Sequence, residues 1–117
     1  MNNSRRTYTK SLKLDQESHE KVTRISKAYC MSRQDFVNNL ILASDFDIDK
    51  YKNLKDIPCQ STNATYISDD AHEKLKRLKN KSGFRLHSFI YMWLCEDDEI
   101  VIDRVMNYFK SKLRKIN

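Results

Sequence analysis

The stretch Thr7-Tyr8-Thr9-Lys10-Ser11-Leu12-Lys13-Leu14 alternates near its end, with Leu12 and Leu14 on one side and Thr9, Ser11 and Lys13 on the other. Successive side chains of a strand point to opposite faces, so this is the pattern of a half-buried strand. A strand so short cannot bury an apolar face alone, and an isolated hairpin is marginal in water. Fifty-three positions on, the interval from Leu14 to Ile67, Asn63-Ala64-Thr65-Tyr66-Ile67 alternates in the same way. The expectation is that the two segments pair.

The same offset carries the similarity further. Ser18-His19-Glu20-Lys21-Val22-Thr23-Arg24-Ile25 falls on Ala71-His72-Glu73-Lys74-Leu75-Lys76-Arg77-Leu78. Phe36-Val37 falls on Phe89-Ile90, and Leu40-Ile41 on Trp93-Leu94, with no gap from Leu14 to Leu42. An internal repeat changes the fold expected of a chain, because each unit is then a half that must be completed by the other.

Each unit reads as strand, helix, turn, helix. An acidic cluster follows each strand, Asp15-Gln16-Glu17 in one and Ser68-Asp69-Asp70 in the other. Acids suit the positive end of a helix dipole. Ser18, Val22, Ile25 and Tyr29 then share a helical face, as do Ala71, Leu75, Leu78 and Ser82. Gly83 sits where a left-handed cap would end the helix, and Cys30 takes that place in the first unit. Ser32 is a favourable N-cap for the next helix, with Asp35 three residues on. The apolar face of that helix is Phe36, Val37, Leu40 and Ile41, and in the second unit Phe89, Ile90, Trp93 and Leu94. Tyr91 and Met92 make the second version apolar nearly all round, where the first has Asn38 and Asn39. A helix apolar on every side is covered on every side, so a further element is expected on the second unit. The tail offers Ile102, Met106, Phe109, Leu113 and Ile116 at helical spacing. It is expected to dock on the Tyr91/Met92 side, or to pair with another chain.

Composition agrees with a small, mainly helical domain. The 117 residues contain one Gly and one Pro, too little punctuation for a many-stranded protein. With 22 basic and 16 acidic residues the net charge is +6, which favours a polyanionic partner, nucleic acid before membrane. No apolar run reaches a membrane span of roughly 20 residues. The polar, basic N-terminus does not read as a secretory signal, and a cytoplasmic location is expected. Cys30, Cys59 and Cys95 are odd in number and form no CxxC pair, so free thiols are expected rather than a disulfide or zinc site. His19 and His72 recur with the repeat but lack partners at ligand spacing. No cofactor and no metal are expected. No activated nucleophile, paired carboxylates or phosphate loop points to an enzyme.

The expected organisation is a first unit over 1–44 with a basic arm, a linker over 45–60, a second unit over 61–97 and an amphipathic helix over 98–117, all one compact domain. The linker holds Phe46, Ile48, Tyr51, Leu54 and Ile57 and is not a featureless tether.

Ser11-Leu12-Lys13-Leu14 followed by Met31-Ser32-Arg33-Gln34-Asp35-Phe36-Val37 resembles the ribbon-helix-helix (Arc/MetJ-like) superfamily of DNA-binding proteins. Lys81-Ser82-Gly83-Phe84-Arg85 matches that pattern with Arg85 in place of the serine cap. Two units in one chain are similar to the tandem form of the TraY relaxosome proteins of conjugative plasmids. The resemblance covers roughly 7–44 and 60–95, leaving out the linker and the tail. It implies a mainly α fold with a two-stranded antiparallel ribbon, a tandem pseudo-dimer in one chain, plus the C-terminal helix.

The resemblance also implies a mechanism. The ribbon enters the major groove of double-stranded DNA and reads base edges with Thr9, Ser11 and Lys13 from one unit and Thr62, Ala64 and Tyr66 from the other. Ser32, Arg33 and Arg85, at the N-termini of the second helices, and Arg5, Arg6 and Lys10 before the ribbon, are then phosphate contacts. The plain alternative for Lys13 is a solvated edge lysine, and for Arg24 and Arg77 ordinary surface residues or ion pairs. Trp93 aligns with Leu40 and reads as core. The function implied is transcriptional regulation or repression by a monomeric pseudo-dimer able to self-associate on DNA. The alternatives are a relaxosome accessory protein at a transfer origin, or an antitoxin-like protein that binds a partner through its C-terminal helix.

Overall fold

The computed structural model describes residues 8–46 and 63–116, with side chains to Lys112. Two short strands, β1 (Lys10–Lys13) and β2 (Ala64–Ile67), pair antiparallel. Among the described residues five helices surround them: α1 (Gln16–Ala28), α2 (Arg33–Ala43), α3 (Asp69–Ser82), α4 (Leu86–Leu94) and α5 (Asp98–Ile116). The register sets Ser11 opposite Tyr66, Leu12 opposite Thr65 and Lys13 opposite Ala64. Beyond the strand, the Leu14 N–H donates to the Asn63 carbonyl at 2.9 Å. Leu12, Leu14, Thr65 and Ile67 face the core and are buried, which is the side the alternation assigns to them.

Local chemistry explains where the helices start and stop. Asp15 caps α1, its Oδ2 accepting from the Ser18 N–H at 3.0 Å. Ser68 caps α3, its Oγ accepting from the Ala71 N–H at 3.2 Å. Each such cap stabilises by about 1 kcal/mol. Asp69 and Asp70 stand at the positive end of α3, and Lys79 and Lys81 at its negative end. Gly83 closes α3 at φ 83°, its N–H donating to the Lys79 carbonyl at 2.7 Å. Cys30 adopts φ 55° after α1, and the Met31 N–H reaches the Ser26 carbonyl at 2.9 Å. That is the six-to-one bond of a Schellman motif, made by a residue that carries a Cβ.

The interval noticed in the sequence recurs in the backbone. Caps Asp15 and Ser68, left-handed residues Cys30 and Gly83, and caps Ser32 and Arg85 each lie 53 positions apart. Ser32 has φ −70° and ψ 153°, and Arg85 has φ −70° and ψ 155°.

The core lies between the helices and the inner side of the strands. Val22, Val37, Leu40, Ile41, Leu75, Phe89, Ile90 and Trp93 are fully buried. The Trp93 indole N–H donates to the Asp45 carbonyl at 3.0 Å. Phe46, the last described residue before 63, stacks edge-on against Phe84 and Phe89, with centroids 6.3 and 5.1 Å apart. The rest of the 45–60 segment lies outside the described residues.

The two halves are tied together by a crossed pair of lysines. Lys21 of α1 donates to the carbonyl of Leu94, where α4 ends, and to that of Glu96 at 3.5 Å. Lys74 of α3, at the matching position, donates to the carbonyls of Leu42, at 3.3 Å, and Ser44, where α2 ends. Final-turn carbonyls have no partner within their helix, and the dipole there favours a cation. Burial pulls Lys74 below the ordinary lysine range, with Asp45 acting against it.

The tail helix corrects one expectation. α5 folds back on the same chain, but chiefly on α2 rather than on the Tyr91/Met92 side. Its deepest residues are Val101 and Val105, with Ile102, Met106 and Phe109 only half-buried. The apolar stripe is therefore rotated by part of a turn from the one expected. α2 is the helix that needs the cover, because it is buried without interruption from Phe36 to Ile41, both asparagines included. Asn38 is tolerated there because its Oδ1 accepts from the Ser68 N–H at 2.8 Å. The docking is pinned by Arg104, whose guanidinium meets both oxygens of Glu96 at 2.9 Å and Ser44 Oγ at 3.2 Å.

Candidate nucleic-acid interface

The outer side of the paired strands carries Ser11, Lys13, Ala64 and Tyr66, all exposed. Ser11 stands across from Tyr66 and Lys13 across from Ala64, so the four form one continuous polar strip. Tyr66 is 48% exposed, an unusual setting for a large aromatic ring with a buried strand face beneath it. Thr9 continues the strip and is also exposed, with its Oγ1 3.3 Å from Asp69 Oδ1. Lys10 has the inward parity of Leu12 and Leu14, yet is exposed at the first position of β1, opposite the buried Ile67. Thr62, Arg5 and Arg6 lie outside the described residues.

The second helix of each half packs on one of these strands. α2 lies against β2, and α4 lies against β1, so each strand is supported by the second helix of the other half. At the first, the exposed Ser32 accepts from the Asp35 N–H at 3.0 Å, and Arg33 beside it is exposed. Ser32, Arg33 and Gln34 face Ala64, Thr65 and Tyr66 across a cleft of about 320 Å³. The upward N–H groups of a helix start and an arginine line one wall, and the strand lines the other. At the second, Arg85 holds the N-cap position, is exposed, and makes no side-chain cap bond. Here the residue matching Asp35 is Ser88, which is buried, so no acid stands in the first turn. His87, another residue near this turn, is also buried.

One contact at the first helix start is not readable from local pattern. The Tyr8 hydroxyl donates to Asp35 Oδ1. Partial burial, and then the Asp35 carboxylate, hold the Tyr8 phenol well above its ordinary range, so it stays a donor. The bond occupies the one acid at the α2 start and ties the chain just before β1 to that helix. Only the pairing of two residues 27 apart reveals it.

Arg24 pairs with Asp98 at 3.2 Å, and Lys21 with the same carboxylate at 3.1 Å. Cys30 and Cys95 are exposed free thiols. Among the described residues no cluster of three or more His, Cys, Asp or Glu is placed to hold a metal ion. Among them, too, no helix is long and apolar enough to cross a membrane. Compared with family models, curated proteins and solved structures, the chain gives no match.

Proposed function

We propose that this protein is a sequence-specific binder of double-stranded DNA that regulates transcription, built as two ribbon-helix-helix units in one chain. The observation that carries the reading is the exposed outer side of an antiparallel strand pair, with the start of α2 lining a cleft beside β2 and α4 packed on β1. A major groove about 12 Å wide admits a two-stranded ribbon and offers an unambiguous donor/acceptor code. Ser11, Lys13 and Thr9 read one half-site, and Ala64, Tyr66 and Thr62 the other. Lys13 donates to guanine O6 or N7, Ser11 serves either kind of base, and Ala64 meets a thymine methyl. The helix N-termini at Ser32, Arg33 and Arg85 take backbone phosphates, and the arm with Arg5, Arg6 and Lys10 follows the backbone outward.

The crossed lysines support the two-unit reading. In an isologous interface each contact occurs twice with the partners exchanged, and Lys21 to the end of α4 is matched by Lys74 to the end of α2. The two reading faces are chemically unlike, since Lys13 corresponds to Tyr66 and Ser11 to Ala64. The DNA site is therefore an imperfect palindrome. A role at a plasmid transfer origin uses the same geometry on a different target. The antitoxin-like alternative fares less well, because the tail helix spends Val101 and Val105 on its own chain.

Selection of sites from random duplex DNA tests the reading. The expected result is one enriched motif with unlike half-sites, bound with an affinity that falls by a log–log slope of about 0.9 per phosphate contacted as salt rises. Failure to enrich any motif, with binding no stronger than to bulk DNA, overturns it.

A further inference from the structure

The course of α5 has a consequence for how much DNA the protein covers. Asp98 starts the helix beside Lys21 and Arg24 in the middle of α1. Ile102, Val105 and Met106 then lie against Ile25, Tyr29, Met31 and Phe36. The helix thus advances along α1 towards the α1–α2 turn and the start of α2. That is the end of the molecule where Ser32 and Arg33 line the cleft beside β2. From Val105 to Ile116 the axis continues for about 16 Å at 1.5 Å per residue.

The charge on α5 changes sign along the same direction. Asp98, Glu99 and Asp103 occupy its first turns, whereas from Arg104 onward the sequence has no acid and carries Lys110, Lys112, Arg114 and Lys115. Lys110 and Lys112 are exposed, and the Lys112 ammonium lies 5.8 Å from the centre of the Tyr108 ring. A cation at the negative end of a helix is ordinary, but four in six residues form a concentrated field. The positions 53 residues earlier in the sequence, Ile57, Cys59, Ser61 and Thr62, carry no cation, so this charge cluster is one-sided.

We infer that the C-terminal turns of α5 are a second phosphate-binding surface, which engages the DNA backbone outside the ribbon's site on the flank of the first unit alone. The inference rests on the DNA-binding reading above and adds to it a footprint longer on one side. The occupant is a polyanionic backbone because the surface offers exposed ammonium groups and no acids, which attracts phosphate without reading sequence.

The experiment uses the full chain and its selected site on two duplexes, one holding the site alone and one extended by about a helical turn on both flanks. Wild type is compared with the quadruple variant Lys110→Gln, Lys112→Gln, Arg114→Gln, Lys115→Gln, and with Lys110→Arg/Lys112→Arg as a charge-keeping control. Wild type is expected to bind the extended duplex on the order of 10-fold more tightly than the short one. Its hydroxyl-radical protection should run past the site on one flank. The quadruple variant should bind both duplexes alike, lose only that protection, and show a salt slope smaller by about 2 to 4. The arginine control should behave as wild type, and thermal unfolding should be unchanged. Equal slopes and equal footprints for wild type and variant, with the site still recognised, overturn the inference and leave the DNA-binding reading intact. A halved mass in the variant assigns the surface to a second copy of the chain and also overturns it. If wild type recognises no duplex at all, the DNA-binding reading itself fails and takes this inference with it.

Discussion

Residues 10–44 and 63–95 follow the same succession of elements, yet they differ in a patterned way. Inside, matching positions keep their character: Val22 and Leu75, Val37 and Ile90, Leu40 and Trp93 are all fully buried. Outside, they part company, with Lys13 against Tyr66, Ser11 against Ala64 and Ser32 against Arg85. Packing density punishes a changed volume in a core, whereas an exposed side chain is free to change. The lesson is that the shared backbone is held by the inner positions, while the chemistry that distinguishes the two halves is carried by the outer ones.

The largest test of that division is in the core. Trp93→Ala should lower unfolding stability by about 3–5 kcal/mol and Leu40→Ala by about 2–5 kcal/mol. If the halves are one cooperative body, either change should shift a single urea transition seen alike by circular dichroism and tryptophan-independent probes. Two separated transitions would mean the halves are independent.

On the outer face the comparison becomes a matter of specificity. Lys13→Ala should cost about 1–3 kcal/mol of discrimination at one half-site, leaving the other unchanged. The double change Ser11→Ala, Lys13→Tyr gives both halves the same reading residues, and site selection should then return a more symmetric motif. An unaltered motif would show that these side chains do not read bases.

The turns sharpen the comparison at lower energy. Gly83→Ala places a Cβ at φ 83° and should cost about 1–2 kcal/mol, although no neighbouring atom stands within 4 Å of that Cβ. Cys30→Gly relieves the corresponding strain at φ 55° and should stabilise by up to about 1 kcal/mol. Opposite signs in thermal unfolding are the expected outcome, and equal signs would mean the two turns are not equivalent. At the next position, Ser32→Ala should cost about 1 kcal/mol through loss of the cap to Asp35, a cap bond that Arg85 does not make.

The smallest effect concerns the start of α5. A hydrogen bond from Lys21, with further help from the charges of Lys21 and Arg24, holds the Asp98 carboxyl below the usual range. A carboxyl depressed in the folded state adds stability above its unfolded pKa, and that part is lost as pH falls through the folded value. Stability should therefore slip as pH drops below about 4, the ordinary carboxyl range. In Asp98→Asn the acid-dependent slope should be shallower, as followed by urea midpoints at pH 6 and pH 3. An unchanged slope would remove Asp98 from the acid response.

Much of the fold was legible because its signals are local. The alternation in 10–14 and 63–67 requires only that neighbouring side chains point opposite ways. Ser32 and Gly83 cap helices through bonds or dihedrals that span no more than four residues, whereas Ser68, which proves to cap α3, reads only as part of a cluster. The cap of the first helix was legible only in part, since Asp15 reads as one of a cluster and proves to be the residue that accepts from Ser18. Of the proposed site, the outer side of the strands could be read from parity, but Tyr8 beside Asp35 could not.

By itself, then, the sequence determined the elements, their order, the inner faces of the strands and of α2 and α4, and the interval at which they recur, because each depends on residues within a turn or a pleat of one another. Only the tertiary structure decided what covers what. It set α5 on α2, sent Lys21 and Lys74 across to the opposite helix ends, and left the cleft open between Arg33 and Tyr66. Those contacts join residues that are far apart along the chain, and an apolar stripe states that a face must be covered without stating by which neighbour.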